Sequence, residues 1–304
     1  MRLTRRQLLA AAAAGAGRAA AQAQYRAGGS KPRTRPPVCL YSKQLAKVQY
    51  EELGKVLREL GFDGCDLSVE PGGHVLPEHA QADLVTAVMA VTDAGLYVPM
   101  LTTSITSPAD PDIRFVLGLA GFMGVPLYRP GIWKYNGTSE IEARLVEVRG
   151  EIAGLAAVGR SCGMAMGLRN VAGDNVGSAV WDTNLMISPM EAQWVGYDFD
   201  PGAAMAVGGA DGWWLALGMA LPRLKMATLS DFNWTRDASG AWKAIPCPLG
   251  EGVVDWSRFF SMLARVKFTG PLSIEIRYQP ARELDAIRRD LEFVRKQVAR
   301  AYGN

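Results

Sequence analysis

Residues 61–79 read GFDGCDLSVEPGGHVLPEH, and the fold follows from this stretch. Gly61 stands where a helical pattern ends, the position just past a helix C-terminus that glycine favours. Residues 62–69 form an apolar run carrying Cys65, Leu67 and Val69, the pattern of a buried strand. At its end the composition changes abruptly to Glu70, Pro71, Gly72, Gly73 and His74, then Pro77, Glu78 and His79, before a new helical pattern starts at Ala80. Parallel α/β folds gather their chemistry at the carboxyl ends of strands. A Gly-Gly turn with a surface histidine is also a common structural loop. The functional reading gains because both of the chain's two histidines lie here.

Outward from this stretch, the same strand-then-helix unit recurs. Apolar runs at 38–41, 62–69, 97–101, 125–128, 164–168, 195–199, 223–229 and 271–276 predict eight strands. Helical spacing follows each of them. Glu51 and Glu52 open the first helix, where the helix dipole favours acids, and Leu53, Val56, Leu57 and Leu60 line it. Ser139 is the expected N-cap of a long helix over 139–162. Helices are also expected at 112–122, 176–187, 203–221 and 256–266, with Trp213 and Trp214 as core. The last helix sets Leu284, Ile287, Leu291, Val294 and Val298 on one face. Residues 231–252, with Trp234 and Trp242, read as an irregular loop. Lys225 falls inside a predicted strand, where burial without a partner is costly, so either it pairs with an inward carboxylate or the strand's register differs. Eight such units predict a parallel sheet closed into a (β/α)8 barrel. An open doubly wound sheet is disfavoured, because no G-x-G-x-x-G opens the first helix.

The chain has 304 residues, 49% apolar and 21% charged, with a net charge of +3. That suits a globular protein and gives nucleic acid no basic surface to bind. Cys39, Cys65, Cys162 and Cys247 are widely spaced, so neither a zinc knuckle nor a disulfide framework is expected. Residues 1–23 read as a signal peptide of the twin-arginine (Tat) type: Arg5-Arg6, an Ala-rich run too short to span a bilayer, and Ala21-Gln22-Ala23 as the cleavage site. This predicts recognition by the Tat export machinery and a periplasmic or otherwise exported protein with no integral membrane segment after cleavage. Residues 24–37 are Gly-, Pro- and Arg-rich and read as a linker, leaving 38–304 as the barrel.

Seven segments in order resemble the sugar phosphate isomerase/epimerase family with the xylose-isomerase-like TIM barrel. They are GFDGCDLSVEPGGHVLPE (61–78), YRPGIWKY (128–135), SAVWD (178–182), VGYDFDP (195–201), SDFNW (230–234), PLGEGVVDWSRFF (248–260) and FTGPLSIEIRY (268–278). The resemblance implies a divalent ion at the barrel mouth, held by Glu, Asp, His and Glu from the last four strands. Only Asp200 and Glu275 match that set. The other positions carry Arg169-Asn170, Ala203 and Thr228, and Arg277 occupies the slot of a second Glu position. The resemblance therefore implies either a weakly bound Mn²⁺ or Mg²⁺ on Asp200 and Glu275, or no metal.

The implied function is isomerisation or epimerisation of a sugar or sugar derivative by proton transfer next to a carbonyl. Glu70, Asp200 and Glu275 are the candidate catalytic residues. His74, Arg129, Trp133, Arg169, Asn170, Asp231 and Trp234 are the candidate substrate contacts, for a small-molecule carbohydrate. Arg169 would supply the missing positive charge or merely neutralise Asp200 and Glu275. The alternative is a non-catalytic carbohydrate-binding barrel that has lost its metal. Hydrolysis of damaged DNA, known in a branch of the same family, would need many more histidines.

Overall fold

The computed structural model describes residues 33–303. The signal peptide read at 1–23 and most of the linker lie outside the described residues. The last linker residues, Pro36 and Pro37, are buried, and the Pro37 carbonyl accepts from Leu272 N at 2.9 Å, so the chain joins the barrel just before its first strand.

Eight parallel strands close into a barrel, each from one predicted apolar run. They are β1 (Val38–Tyr41), β2 (Gly64–Val69), β3 (Tyr97–Thr103), β4 (Leu127–Arg129), β5 (Ala165–Arg169), β6 (Val195–Phe199), β7 (Leu224–Leu229) and, after an excursion, β10 (Leu272–Ile274). β10 pairs with both β7 and β1, which removes the sheet's edges. Helices α1 (Tyr50–Leu60), α2 (Ala80–Asp93), α3 (Ile113–Phe122), α4 (Ile141–Ser161), α5 (Val180–Ile187), α6 (Pro201–Ala220), α7 (Trp256–Arg265) and α8 (Glu283–Tyr302) surround it. Gly61 has φ 94° and its N–H reaches the Leu57 and Arg58 carbonyls, as the first reading required. Between strands and helices runs one apolar core, with Leu53, Leu84, Leu117, Leu155 and Trp213 fully buried.

Several expectations change. Residues 231–236 and 242–247 are not an irregular loop but an antiparallel hairpin of β8 (Asp231–Arg236) and β9 (Trp242–Cys247). Ser139 does not cap α4; the cap position is Glu140, in the left-handed region at φ 66° with no side-chain hydrogen bond. α5 begins later than predicted, after Gly177 turns the chain at φ 82°. Leu284 is exposed, because the first turn of α8 precedes its buried stripe. Lys225 finds no carboxylate: its ammonium donates to the Gln193 carbonyl at 3.0 Å.

The barrel interior contains a charged layer. Arg129 is buried with Asp66 and Asp198, donating to Asp198 at 3.0 Å and to Thr228 Oγ1 at 2.7 Å, and standing 3.7 Å from Asp66. Thr102 and Ser273 each donate to Asp66 at 2.6 Å, and Thr228 donates to Asp198. Burial works against the Arg129 charge, but Asp66 and Asp198 outweigh it and raise its pKa. Removing one partner of a buried ion pair strands the other. Arg129→Met is therefore expected to lower unfolding free energy by about 3–5 kcal/mol in urea titrations, and adding Asp66→Asn and Asp198→Asn to it should recover much of the loss.

Candidate functional site

The carboxyl ends of β1, β2, β5, β6 and β10 bring a second charged layer to the barrel mouth. Asp200 follows β6 and opens α6, whose N-cap it is: its Oδ1 accepts from Ala203 N at 3.1 Å and from Ser230 Oγ at 2.7 Å. Asn170, just past β5, fixes the Asp200 backbone from both sides, donating to its carbonyl at 2.9 Å and accepting from its N–H at 2.8 Å. Glu275 follows β10 and stands beside Tyr41, since Leu40 and Ile274 are partners in the ladder.

Two guanidinium groups clasp these acids. Arg169 donates from Nη1 to Glu275 Oε2 at 2.6 Å and from Nη2 to Asp200 Oδ2 at 2.9 Å. Arg277 donates from Nη2 to Asp200 Oδ2 at 3.0 Å and from Nε to Glu275 Oε1 at 3.3 Å. Arg169 is only 7% exposed, whereas Arg277 is 29% exposed and forms the solvent side of the clasp. Both oxygens of each carboxylate are engaged. Burial raises the Asp200 carboxyl to about 6 against the opposing charge of Arg169. Glu275 goes the other way: burial opposes its charge, but Arg169 and Arg129 hold it below its ordinary value.

Across the mouth, Glu70 accepts from the Tyr41 hydroxyl and from Lys43 Nζ at 3.1 Å. Burial and the bond to Glu70 push the Tyr41 phenol far up, so it remains a proton donor. His74 is buried, with Nδ1 3.3 Å from the Ser42 carbonyl; burial lowers its pKa and favours the neutral ring. Its loop is fastened by Ser68 Oγ, which accepts from His74 N at 2.7 Å.

The remaining expected contacts are placed differently. Arg129 belongs to the interior layer below the mouth. Asp231 is buried and accepts from the N–H groups of Phe232, Gly250, Gly252 and Val254 and from Trp256 Nε1, so it organises the loop after the hairpin rather than facing a ligand. Trp133 is largely buried, donates to the Thr106 carbonyl at 3.0 Å and, with Arg169, lines a narrow cleft. Trp234 stands out on the hairpin. Tyr41, Lys43 and Ser230 were missed: Tyr41 had read as the end of an apolar run.

A divalent ion does not fit this donor set. Every carboxylate oxygen of Asp200 and Glu275 already faces a donor, and two guanidinium charges would repel the ion. Among the described residues no group of three or more His, Cys, Asp or Glu side chains is arranged to hold a metal. Calorimetry is expected to show no binding of Mn²⁺ or Mg²⁺ tighter than about 1 mM, with Arg277→Ala strengthening Mn²⁺ binding by about tenfold or more as it frees one edge of both acids.

The raised carboxyls also set the pH response. Asp66, Asp200 and Asp290 are each pushed to about 6, first by burial. Folded values above the unfolded ones mean that the folded state binds protons more tightly. Stability is then fullest below about pH 4 for these groups and is lost as pH rises through about 6. Glu275, held low, acts oppositely and withdraws its contribution as pH falls below its ordinary range. The melting temperature is expected to be higher near pH 5 than near pH 8, and Asp66→Asn or Asp200→Asn should shrink that difference in calorimetric scans.

Residues 54–297 match the family model described as xylose isomerase-like TIM barrel. No curated protein matches the chain. Solved structures share the fold at low identity. A xylose isomerase-like TIM barrel protein from Mycobacterium smegmatis, in complex with magnesium, is 18% identical with TM-score 0.69, covering 88% of this chain and 98% of that one. D-allulose 3-epimerase from Methylomonas sp., in complex with D-allulose, is 15% identical with TM-score 0.67, covering 86% and 97%. The 3-keto-D-glucoside 4-epimerase YcjR from E. coli, in its apo form, is 16% identical with TM-score 0.68, covering 86% and 100%.

Proposed function

The chain belongs to the xylose isomerase-like TIM barrel family, and from that premise we propose that it acts on a sugar or sugar derivative at the barrel mouth, as an isomerase or epimerase. Proton transfer next to a carbonyl needs a group that takes and returns the proton and a charge that stabilises the enediolate oxygen. The observation that carries the reading is the pairing of these two requirements at one mouth. Glu70, bonded to the Tyr41 hydroxyl and Lys43, is the proton-transfer group, and Tyr41 is the donor that follows it. Arg277, the exposed half of the clasp, meets the developing oxyanion, while Arg169 keeps Asp200 and Glu275 aligned behind it. No step uses a metal. The solved epimerases of D-allulose and L-ribulose share the fold and support the substrate class. Export by the twin-arginine route belongs to the same proposal, on the strength of Arg5-Arg6 and the Ala-rich run.

A second reading has its own observation. Glu275 and Asp200 are both held by guanidinium groups, which suits a barrel that binds carbohydrate without turning it over. Proton NMR of D-fructose, D-allulose and L-ribulose in D₂O separates the two. The enzyme reading expects deuterium at the carbon next to the carbonyl, undiminished by EDTA, and a loss of about 10²–10⁴-fold with Glu70→Gln. Sugar binding without any exchange would leave the non-catalytic barrel.

A further inference from the structure

The β8–β9 hairpin has two chemically different faces. Trp234 is opposite Ala244 and Arg236 is opposite Trp242. Because side chains alternate along a strand, Phe232, Trp234, Arg236, Trp242, Ala244 and Pro246 share one face. Asn233, Thr235, Lys243 and Ile245 share the other. The first face changes from root to tip. Phe232 is buried at the root and meets the Trp234 ring edge-on at 5.1 Å. Further out, Trp234 is 44% and Trp242 59% exposed, and the Arg236 guanidinium lies over the Trp242 ring at 4.8 Å. Diagonal positions on a hairpin are about 7–8 Å apart, close enough for the two indoles to form one surface. The root is joined to the mouth by Ser230, which immediately precedes β8 and donates to Asp200 at 2.7 Å.

Three properties select the occupant. The exposed apolar part of this face is two indoles with Ala244 and Pro246, well short of the roughly 20–30 residues a side of a stable protein interface. It carries no carboxylate, and its one cation is already stacked. At the adjoining mouth Arg169, Arg277 and Lys43 each hold a carboxylate, and the exposed side of Arg277 is the one the proton-transfer reading gives to the reacting oxygen. A neutral ligand is therefore matched in charge and an anionic one is not. A flat aromatic surface beside a polar tip suits the C–H face of a sugar ring, with the hydroxyls left to water and to Arg236.

We propose that this aromatic face is a second saccharide subsite and that the ligand is an uncharged glycoside whose sugar rings lie against Trp234 and Trp242. This rests on the reading of the mouth as a carbohydrate site. The test titrates the full chain with maltose, cellobiose, lactose, glucose and glucose 6-phosphate, followed by tryptophan fluorescence and calorimetry. At least one neutral disaccharide is expected to bind about tenfold more tightly than glucose, the scale of one aromatic contact. Trp234→Ala and Trp242→Ala should each remove that gain, while Ile245→Ala on the opposite face keeps it. The proposal is overturned if no neutral disaccharide exceeds glucose or if glucose 6-phosphate binds best. It is also overturned if the tryptophan variants change only the sedimentation behaviour, which would make the face a contact between copies. Deuterium exchange on free ketoses is scored separately, so the subsite and the proton-transfer reading fail independently.

Discussion

A charge enclosed by a barrel has to be balanced inside it, because the interior cannot hydrate it. This chain meets that constraint twice, in two ways. In the interior layer one guanidinium, Arg129, serves two carboxylates, and hydroxyls from Thr102, Thr228 and Ser273 make up the difference. Burial pushes Asp66 to about 6, as it does Asp200 at the mouth. At the mouth two guanidinium groups serve two carboxylates, and Glu275 stays ionised. By formal charge the mouth balances, whereas the interior trio is one positive charge short.

Asp200 connects this balance to the rest of the mouth. It caps α6, holds both clasping arginines, and accepts from Ser230 at the root of the hairpin. A change at Asp200 therefore reaches a helix terminus, the charge pair and the hairpin together. Asp231 does the corresponding work one residue past Ser230. Its carboxylate gathers four backbone N–H groups and an indole, fixing the segment that returns from the hairpin to α7.

The strands were legible because each is a short apolar run closed by polar residues, a pattern that survives without knowing the neighbours. The placement of Glu70, Arg169, Asp200 and Glu275 at or just past strand ends was legible for the same reason: a strand's end fixes where its next side chain goes. The hairpin was not read, although Phe232, Trp234, Trp242 and Ala244 alternate around an Asp-Ala-Ser-Gly turn. Pro246 argues against a strand, and only the free edge of a two-stranded sheet tolerates it. Arg129 was misplaced because whether a strand-end residue points into the barrel or out of its mouth depends on the stagger between strands, which pairing alone reveals.

The clasp also limits what chemistry the mouth can do. A bound cation has coordination positions left for substrate oxygens after its protein ligands are counted. A guanidinium has five N–H donors in a fixed plane and no way to enlarge that number. Arg169 spends Nη1 and Nη2 on Glu275 and Asp200 and is buried. Arg277 spends Nε and Nη2 on the same acids but keeps an exposed side. In the proposed reaction, Arg277 is therefore the clasp arginine left to stabilise a negative oxygen, through a hydrogen bond whose strength depends on how firmly Asp200 and Glu275 already hold that charge. An arginine that neutralises two acids and also attracts a third is a weaker electrophile than a free divalent ion. The proposed proton transfer would accordingly favour substrates whose carbon acid needs little help.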